Sequence, residues 1–142
     1  EFSAGHIPKS IFIGINGGFA PWVGALILDI KQPLLLVTPA GKEEETIMRL
    51  SRVGYDNTLG YLKGGFETWK KAGFDYDTVE SITAEELENR MKNNVPVFDV
   101  RKPGEYSAEH IIDVPSTPLD FLNDHLAEFP KEEPFYIHCG GG

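Results

Sequence analysis

Glu105-Tyr-Ser-Ala-Glu-His-Ile111 reproduces Glu1-Phe-Ser-Ala-Gly-His-Ile7 almost residue for residue. Further along, Gln32-Pro-Leu-Leu-Leu-Val-Thr38 returns as Glu133-Pro-Phe-Tyr-Ile-His-Cys139. Two landmarks recurring in the same order at nearly the same spacing identify two copies of one domain of roughly 100 residues. The copies disagree where it matters chemically. The second ends an apolar strand in Cys139, the only cysteine, followed by Gly140, Gly141 and Gly142, whereas the first reads Thr38-Pro39-Ala40-Gly41. Thiol chemistry is available to one copy and not to the other.

Working outward from these landmarks, short apolar strands alternate with amphipathic helices. Ile11–Ile15 reads as a strand, broken by Asn16-Gly17-Gly18, and residues 19–30 as a helix with Trp22, Leu26 and Ile30 on one side. Residues 33–37 form a continuous apolar run, as expected of a strand buried on both faces. Residues 42–53 read as a helix with an acidic first turn, an apolar face of Ile47, Leu50 and Val53, and a stop at Gly54. A strand at 57–62, the pair Gly64-Gly65 and a short helix at 66–72 complete the first copy. The polar stretch 75–80 reads as a linker, so the boundary falls between residues 1–78 and 79–142. In the second copy Thr83 and Glu86 have the spacing of a capping box. A helix to Asn93-Asn94, a buried strand at 95–100 and a turn at 103–105 follow. A helix over 118–129 and the strand 135–138 then lead to Cys139. Strand–helix alternation predicts an α/β fold, a mainly parallel sheet flanked by helices on both faces, here in two partial copies. Each copy reads as incomplete, so the chain is expected to be part of a longer protein.

Composition narrows the function. Net charge is −9 and the sequence pI about 4.8, which argues against nucleic acid or an anionic membrane surface as partner. No apolar run approaches the roughly 20 residues of a membrane-spanning helix, and no signal peptide is expected. One cysteine forms no internal disulfide, which points to a reducing, cytoplasmic setting. His6, His110, His125 and His138 show no metal-ligand spacing, so neither a metal nor another cofactor is expected.

In parallel sheets ligands gather beyond the carboxyl ends of the strands, where Cys139 falls. A cysteine nucleophile works as thiolate and needs a field that lowers its pKa from about 8.5. A tight loop with inward-pointing N–H groups supplies that field without a charged side chain, and glycine permits such a loop. Cys139 is therefore the candidate nucleophile, and Gly140, Gly141 and Gly142 the candidate substrate cradle. Asp99 and Arg101 are expected to pair and fix a loop, with Arg101 as a further candidate for substrate contact. His110 and its counterpart His6 occur in both copies and are expected to bond loop backbone. His138 precedes Cys139, so strand alternation turns it to the opposite face. Trp22 and Trp69 are expected in the core.

Asp99-x-Arg101, Glu105-Tyr-Ser-Ala-Glu-His-Ile111 and a strand ending in Cys139-Gly-Gly-Gly142, in that order, resemble the rhodanese (sulfurtransferase) homology domain. Gly64-Gly65-Phe66-x-x-Trp69 resembles that family's late strand–Gly-Gly–helix element. The resemblance implies a rhodanese-like fold, with residues 1–78 as the C-terminal part of one domain and 79–142 as the N-terminal part of a second. It implies Cys139 as catalytic residue, Gly140 to Gly142 and Arg101 as substrate-binding, and Asp99, Glu105 and His110 as structural support. The implied reaction moves sulfane sulfur from thiosulfate or a persulfide to a thiol or cyanide acceptor through a Cys139 persulfide, with no cofactor. Phe19-Ala-Pro-Trp22-Val-Gly-Ala-Leu further resembles the tandem rhodanese region of bacterial metallo-β-lactamase-fold fusions, which implies a covalently attached N-terminal metal-hydrolase domain. Thr38 implies that the first copy is inactive. Glu109 stands where the first copy has Gly5, and is expected to disturb a turn that glycine's backbone freedom accommodates. Two other functions fit the same residues: a non-catalytic binding or scaffold module, and a cysteine phosphatase with a longer loop closed by an arginine.

Overall fold

A computed structural model describes residues 2–140. The chain divides into two compact units, Glu1–Glu80 and Ser81–Gly142.

The first unit is built on a two-stranded parallel sheet, β1 (Leu34–Leu36) beside β2 (Thr58–Tyr61), with an irregularity in register between Leu34 and Leu35. Helix α1 spans Phe19–Leu26, α2 Glu43–Arg52 and α3 Gly65–Lys71. Phe19, Val23 and Ile27 recur every fourth residue and are buried with Leu50 of α2 and Tyr55. Spacing by four stacks side chains on one helical face. The Tyr55 hydroxyl donates to the Ile27 carbonyl at 2.6 Å, so the polar end of a buried ring is satisfied. Helix α2 carries Glu43, Glu44 and Glu45 in its first turn and Arg49 and Arg52 in its last, matching the helix dipole at both ends.

Four readings of this unit are corrected. The apolar face of α1 is Phe19/Val23/Ile27 rather than Trp22/Leu26/Ile30, because the backbone turns extended at Ile27 (φ −110°, ψ 90°) and the helix cannot reach Ile30. Residues 11–15 form no strand. Ile13 alone packs against the core, while Ile11 and Phe12 are exposed, and the Ile15 carbonyl accepts from Arg49 Nη1 at 2.6 Å. Strand β1 is covered on one face only: Leu34 and Leu36 pack against the core, but Leu35 is 77% exposed. The stretch read as a linker is tied in, since His6 and Asp77 exchange backbone hydrogen bonds of 2.9 Å and Val79 N–H donates to the Ser3 carbonyl at 2.8 Å.

The second unit begins with α4 (Ala84–Met91), and its capping box is formed in both directions. Thr83 Oγ1 accepts from the Glu86 N–H at 3.2 Å, and the Thr83 N–H donates to Glu86 Oε2 at 2.8 Å. Strand β3 (Val97–Asp99) is buried throughout and pairs in parallel with β4 (Tyr136–His138). On its other side Asp99 bridges Ser116, also in parallel. A fully buried strand reads as an unbroken apolar run, with Asp99 as the one intrusion. Phe98 packs among Phe129 and Phe135, with ring centroids 4.6 and 5.7 Å away. Helix α5 (Pro103–Ala108) starts with proline at its first turn, where no N–H is needed.

The expected helix over 118–129 is broken. A single turn of α6 (Leu122–His125) lies between 3₁₀ turns at Leu119–Phe121 and Leu126–Glu128. The backbone leaves helical angles at Phe121 (φ −120°, ψ 25°) and turns extended at Phe129 (φ −80°, ψ 133°). Asn123 and Asp124, which are weak helix formers, sit between these points.

Strands β1 and β4 are the same element in the two copies, but they bury opposite faces. From Leu34 to Thr38 the pattern runs half-buried, exposed, half-buried, exposed, half-buried; from Phe135 to Cys139 it is inverted. In the first unit the α1/α2 core covers the Leu34/Leu36 side of β1; in the second, Tyr136 and His138 are the half-buried side of β4. In the second, Arg90 of α4 lies over the Tyr136 ring, 5.1 Å from its centroid.

Candidate active site

Strand β4 delivers Cys139. His138 is the last paired residue, and its carbonyl accepts from the Val100 N–H at 3.1 Å. Alternation then turns neighbouring side chains apart. His138 turns inward, its Nε2 3.3 Å from Asp99 Oδ2, and the Cys139 thiol is free and exposed. Gly140 follows; Gly141 and Gly142 lie outside the described residues.

Behind this tip stands a fully buried carboxylate. Asp99 has no exposed surface, and Arg101 grips it. The Arg101 Nε donates to both carboxylate oxygens at 3.0 Å, Nη2 donates to Oδ2 at 2.6 Å, and the Arg101 backbone N–H donates to Oδ1 at 2.9 Å. Burial pushes the Asp99 carboxyl up. The Arg101 hydrogen bonds, with the His138 ring nearby, outweigh it and hold the group below its ordinary value. The guanidinium responds in the opposite sense: its hydrogen bonds to Asp99 raise its pKa, aided by Glu105 and Glu109.

The guanidinium that the sequence offers to substrate is thus turned onto Asp99, and its Nη2 also donates to the Glu109 carbonyl at 2.7 Å. That bond spans eight residues and closes the loop carrying α5. Only its aliphatic part approaches the reactive loop: a Cβ built on Gly140 would lie 4.0 Å from Arg101 Cδ. The same Cβ would lie 3.2 Å from Glu105 Oε1. The other Glu105 oxygen accepts from the Lys102 N–H at 3.2 Å, capping α5.

His110 does what its repetition suggests. Its Nδ1 lies 2.8 Å from the Tyr106 carbonyl, and its ring stacks on Tyr106 at 4.1 Å with planes 12° apart. In the first copy His6 Nδ1 lies 3.0 Å from the Phe2 carbonyl, and the rings stack at 4.0 Å, again 12° apart. The Gly5 expectation is corrected. Gly5 does not adopt a left-handed conformation; it is needed because a Cβ there would meet the Phe66 ring at 2.8 Å. Glu109 is extended (φ −163°) and exposed.

At the Cys139 position of the first copy, the Thr38 Oγ1 is buried without a hydrogen-bond partner. Gly65 presses on the same residue: its φ is +61°, and a Cβ there would meet the Thr38 carbonyl at 2.8 Å. Trp69 is half-buried against Phe74, and its indole N–H donates to the Asp75 carbonyl at 2.7 Å.

Sequence reasoning missed two residues. Thr117 is fully buried and clamps the Asp99 backbone, its N–H donating to the Asp99 carbonyl at 2.8 Å. His138 faces away from the thiol, and that orientation places it on Asp99. Pro115-Ser-Thr117 carries no periodic signal, so only the Ser116 bridge reveals it.

Among the described residues no group of three or more His, Cys, Asp or Glu side chains could hold a metal ion, and no helix is long and apolar enough to cross a membrane. A search of curated proteins finds no match to the chain. A family model for the rhodanese-like domain matches in two segments, residues 1–72 and 83–142. Together these cover most of the chain and follow the two copies read from the repeat. The chain belongs to the rhodanese-like domain family, the fold of the sulfurtransferase superfamily.

Proposed function

We propose that the second copy is a sulfurtransferase and Cys139 its nucleophile. The observation that carries this reading is an exposed thiol at the tip of a parallel strand, followed by glycine. The Cys139 thiolate attacks the sulfane sulfur of the donor. With thiosulfate the new S–S bond forms as the donor's S–S bond breaks, and sulfite leaves with the electron pair. The enzyme then holds a Cys139 persulfide. A thiolate or cyanide acceptor attacks the outer sulfur and leaves as persulfide or thiocyanate, returning the Cys139 thiolate. Such a double displacement gives ping-pong kinetics.

The N–H groups of Gly140, Gly141 and Gly142 cradle the anionic sulfur, as a ring of backbone amides does for other anions. Asp99, Arg101, Glu105 and His110 hold the frame, the Arg101 guanidinium being committed to Asp99 and to the Glu109 carbonyl. The chemistry needs no cofactor and is suited to a reducing, cytoplasmic setting. The first copy, with Thr38 at its strand tip, acts as a scaffold. In the wider protein we place an N-terminal metal-hydrolase domain of metallo-β-lactamase fold, which would supply or consume the transferred sulfur.

The test is intact-mass analysis of the full chain after thiosulfate or persulfide treatment. An adduct of about 32 Da, one sulfur, is expected on the wild type and not on Cys139→Ser. No adduct with any donor would leave a non-catalytic module as the reading.

A further inference from the structure

We infer that Glu105 sets the charge preference of the Cys139 site, selecting sulfur donors that carry fewer negative charges than thiosulfate. This rests on the sulfurtransferase reading and narrows its donor class. Glu105 Oε1 stands beside Gly140, which follows the nucleophile: a Cβ built on Gly140 would lie 3.2 Å from it. The carboxylate does not stand there by side-chain drift. Its second oxygen is held by the Lys102 N–H, and the short helix α5 fixes Lys102 and Glu105 in one turn.

The guanidinium of Arg101 does not compensate for it. Arg101 is spent on Asp99 and on the Glu109 carbonyl. Asp99, Glu105 and Glu109 stand against the side chains of Arg101 and Lys102, so these groups carry a net charge of about −1. The chain as a whole, these groups included, carries −9. A dianion approaching Cys139 therefore meets like charge at close range as well as at long range. Glycine at 140 also keeps the carboxylate close, because any side chain there would push Glu105 away.

Two donors separate charge from chemistry. Thiosulfate, a dianion, and methanethiosulfonate, a monoanion, both offer a sulfane sulfur on a sulfonyl group. Attack by the Cys139 thiolate forms the same persulfide and expels sulfite from one and methanesulfinate from the other. The experiment measures the rate of Cys139 persulfide formation in the full chain with each donor, for the wild type and Glu105→Gln. Glutamine keeps an oxygen for the Lys102 cap. The expected result is a rise of about threefold or more in the thiosulfate-to-thiosulfonate rate ratio, the scale of one unit charge a few ångströms away in a solvated site. In the wild type, raising ionic strength should speed the thiosulfate reaction more than the thiosulfonate reaction. An unchanged ratio in Glu105→Gln, or equal salt responses, overturns the inference while leaving sulfur transfer standing. Absence of persulfide with both donors in the wild type instead removes the reading on which it rests.

Discussion

Arg101 holds Asp99 with its whole inner edge: three side-chain hydrogen bonds and one from its backbone converge on a carboxylate with no solvent exposure. The guanidinium side chain itself is only 16% exposed. Breaking such a buried pair from one side strands a charge in low dielectric. Arg101→Ala is expected to cost about 3–5 kcal/mol of stability, the range for an uncompensated buried charge. Urea unfolding of the variant checks this, and a loss under about 1 kcal/mol would show that water replaces the guanidinium.

Acid should unfold the second unit through the same group. Asp99 has a folded pKa below its ordinary value of 3.8. A depressed carboxylate stabilises the fold fully above its unfolded pKa, about 3.9, and that contribution is lost as pH falls through the lower folded value. Glu86, lowered by its bonds to Thr83, acts in the same sense but is exposed. Urea midpoints followed by fluorescence should fall on acidification, and the fall should be shallower in Asp99→Asn. Equal slopes in the two proteins would assign the acid sensitivity elsewhere.

Restoring a cysteine to the first copy should not restore reactivity. The Thr38 side-chain oxygen is buried, whereas Cys139 is exposed. In Thr38→Cys, a disulfide-forming thiol reagent should label Cys139 rapidly and the new thiol slowly, because reactivity follows thiolate character and access. Equal labelling rates would mean that the first strand tip is as open as the second. The exchange should leave stability level or raise it by about 1 kcal/mol, since it removes an unpartnered hydroxyl.

Two glycines make a contrasting pair. Gly65 combines a positive φ with a Cβ position 2.8 Å from a backbone oxygen, whereas nothing lies within 4 Å of the Cβ position of Gly24 in α1. Gly65→Ala should lose about 1–3 kcal/mol to strain, and Gly24→Ala should gain about 0.5–1 kcal/mol of helix stability. Thermal melts of the two variants report both, and a similar shift in each would show that the contact with Thr38 relaxes freely.

Features written within a few residues were legible in the sequence. The Thr83–Glu86 box, the Asp99–Arg101 pair and the backbone-bonded histidines all depend on spacings of two to four residues, and they form as their spacing implies. Features that depend on neighbours were not. Leu35 is as apolar as Leu34 and Leu36, yet stands exposed because nothing in its unit covers that side of the sheet. Ile11–Ile15 has the composition of a strand but no ladder partner. Gly5 invited a conformational explanation, when its reason is the Phe66 ring, sixty residues away in sequence. The site was legible as a list of residue types; that Arg101 is committed inward while Glu105 faces the loop follows only from packing.

The matching stacks of Phe2 on His6 and Tyr106 on His110 carry a consequence for how the duplicate copies diverge. Each closes within five residues and asks nothing of the distant sheet, so it can set early, before slower long-range contacts form. A module of that kind keeps its shape whether or not the copy around it retains a nucleophile. The proposed nucleophile and these local stacks therefore lie in separable parts of the chain, and one can change while the other stays intact.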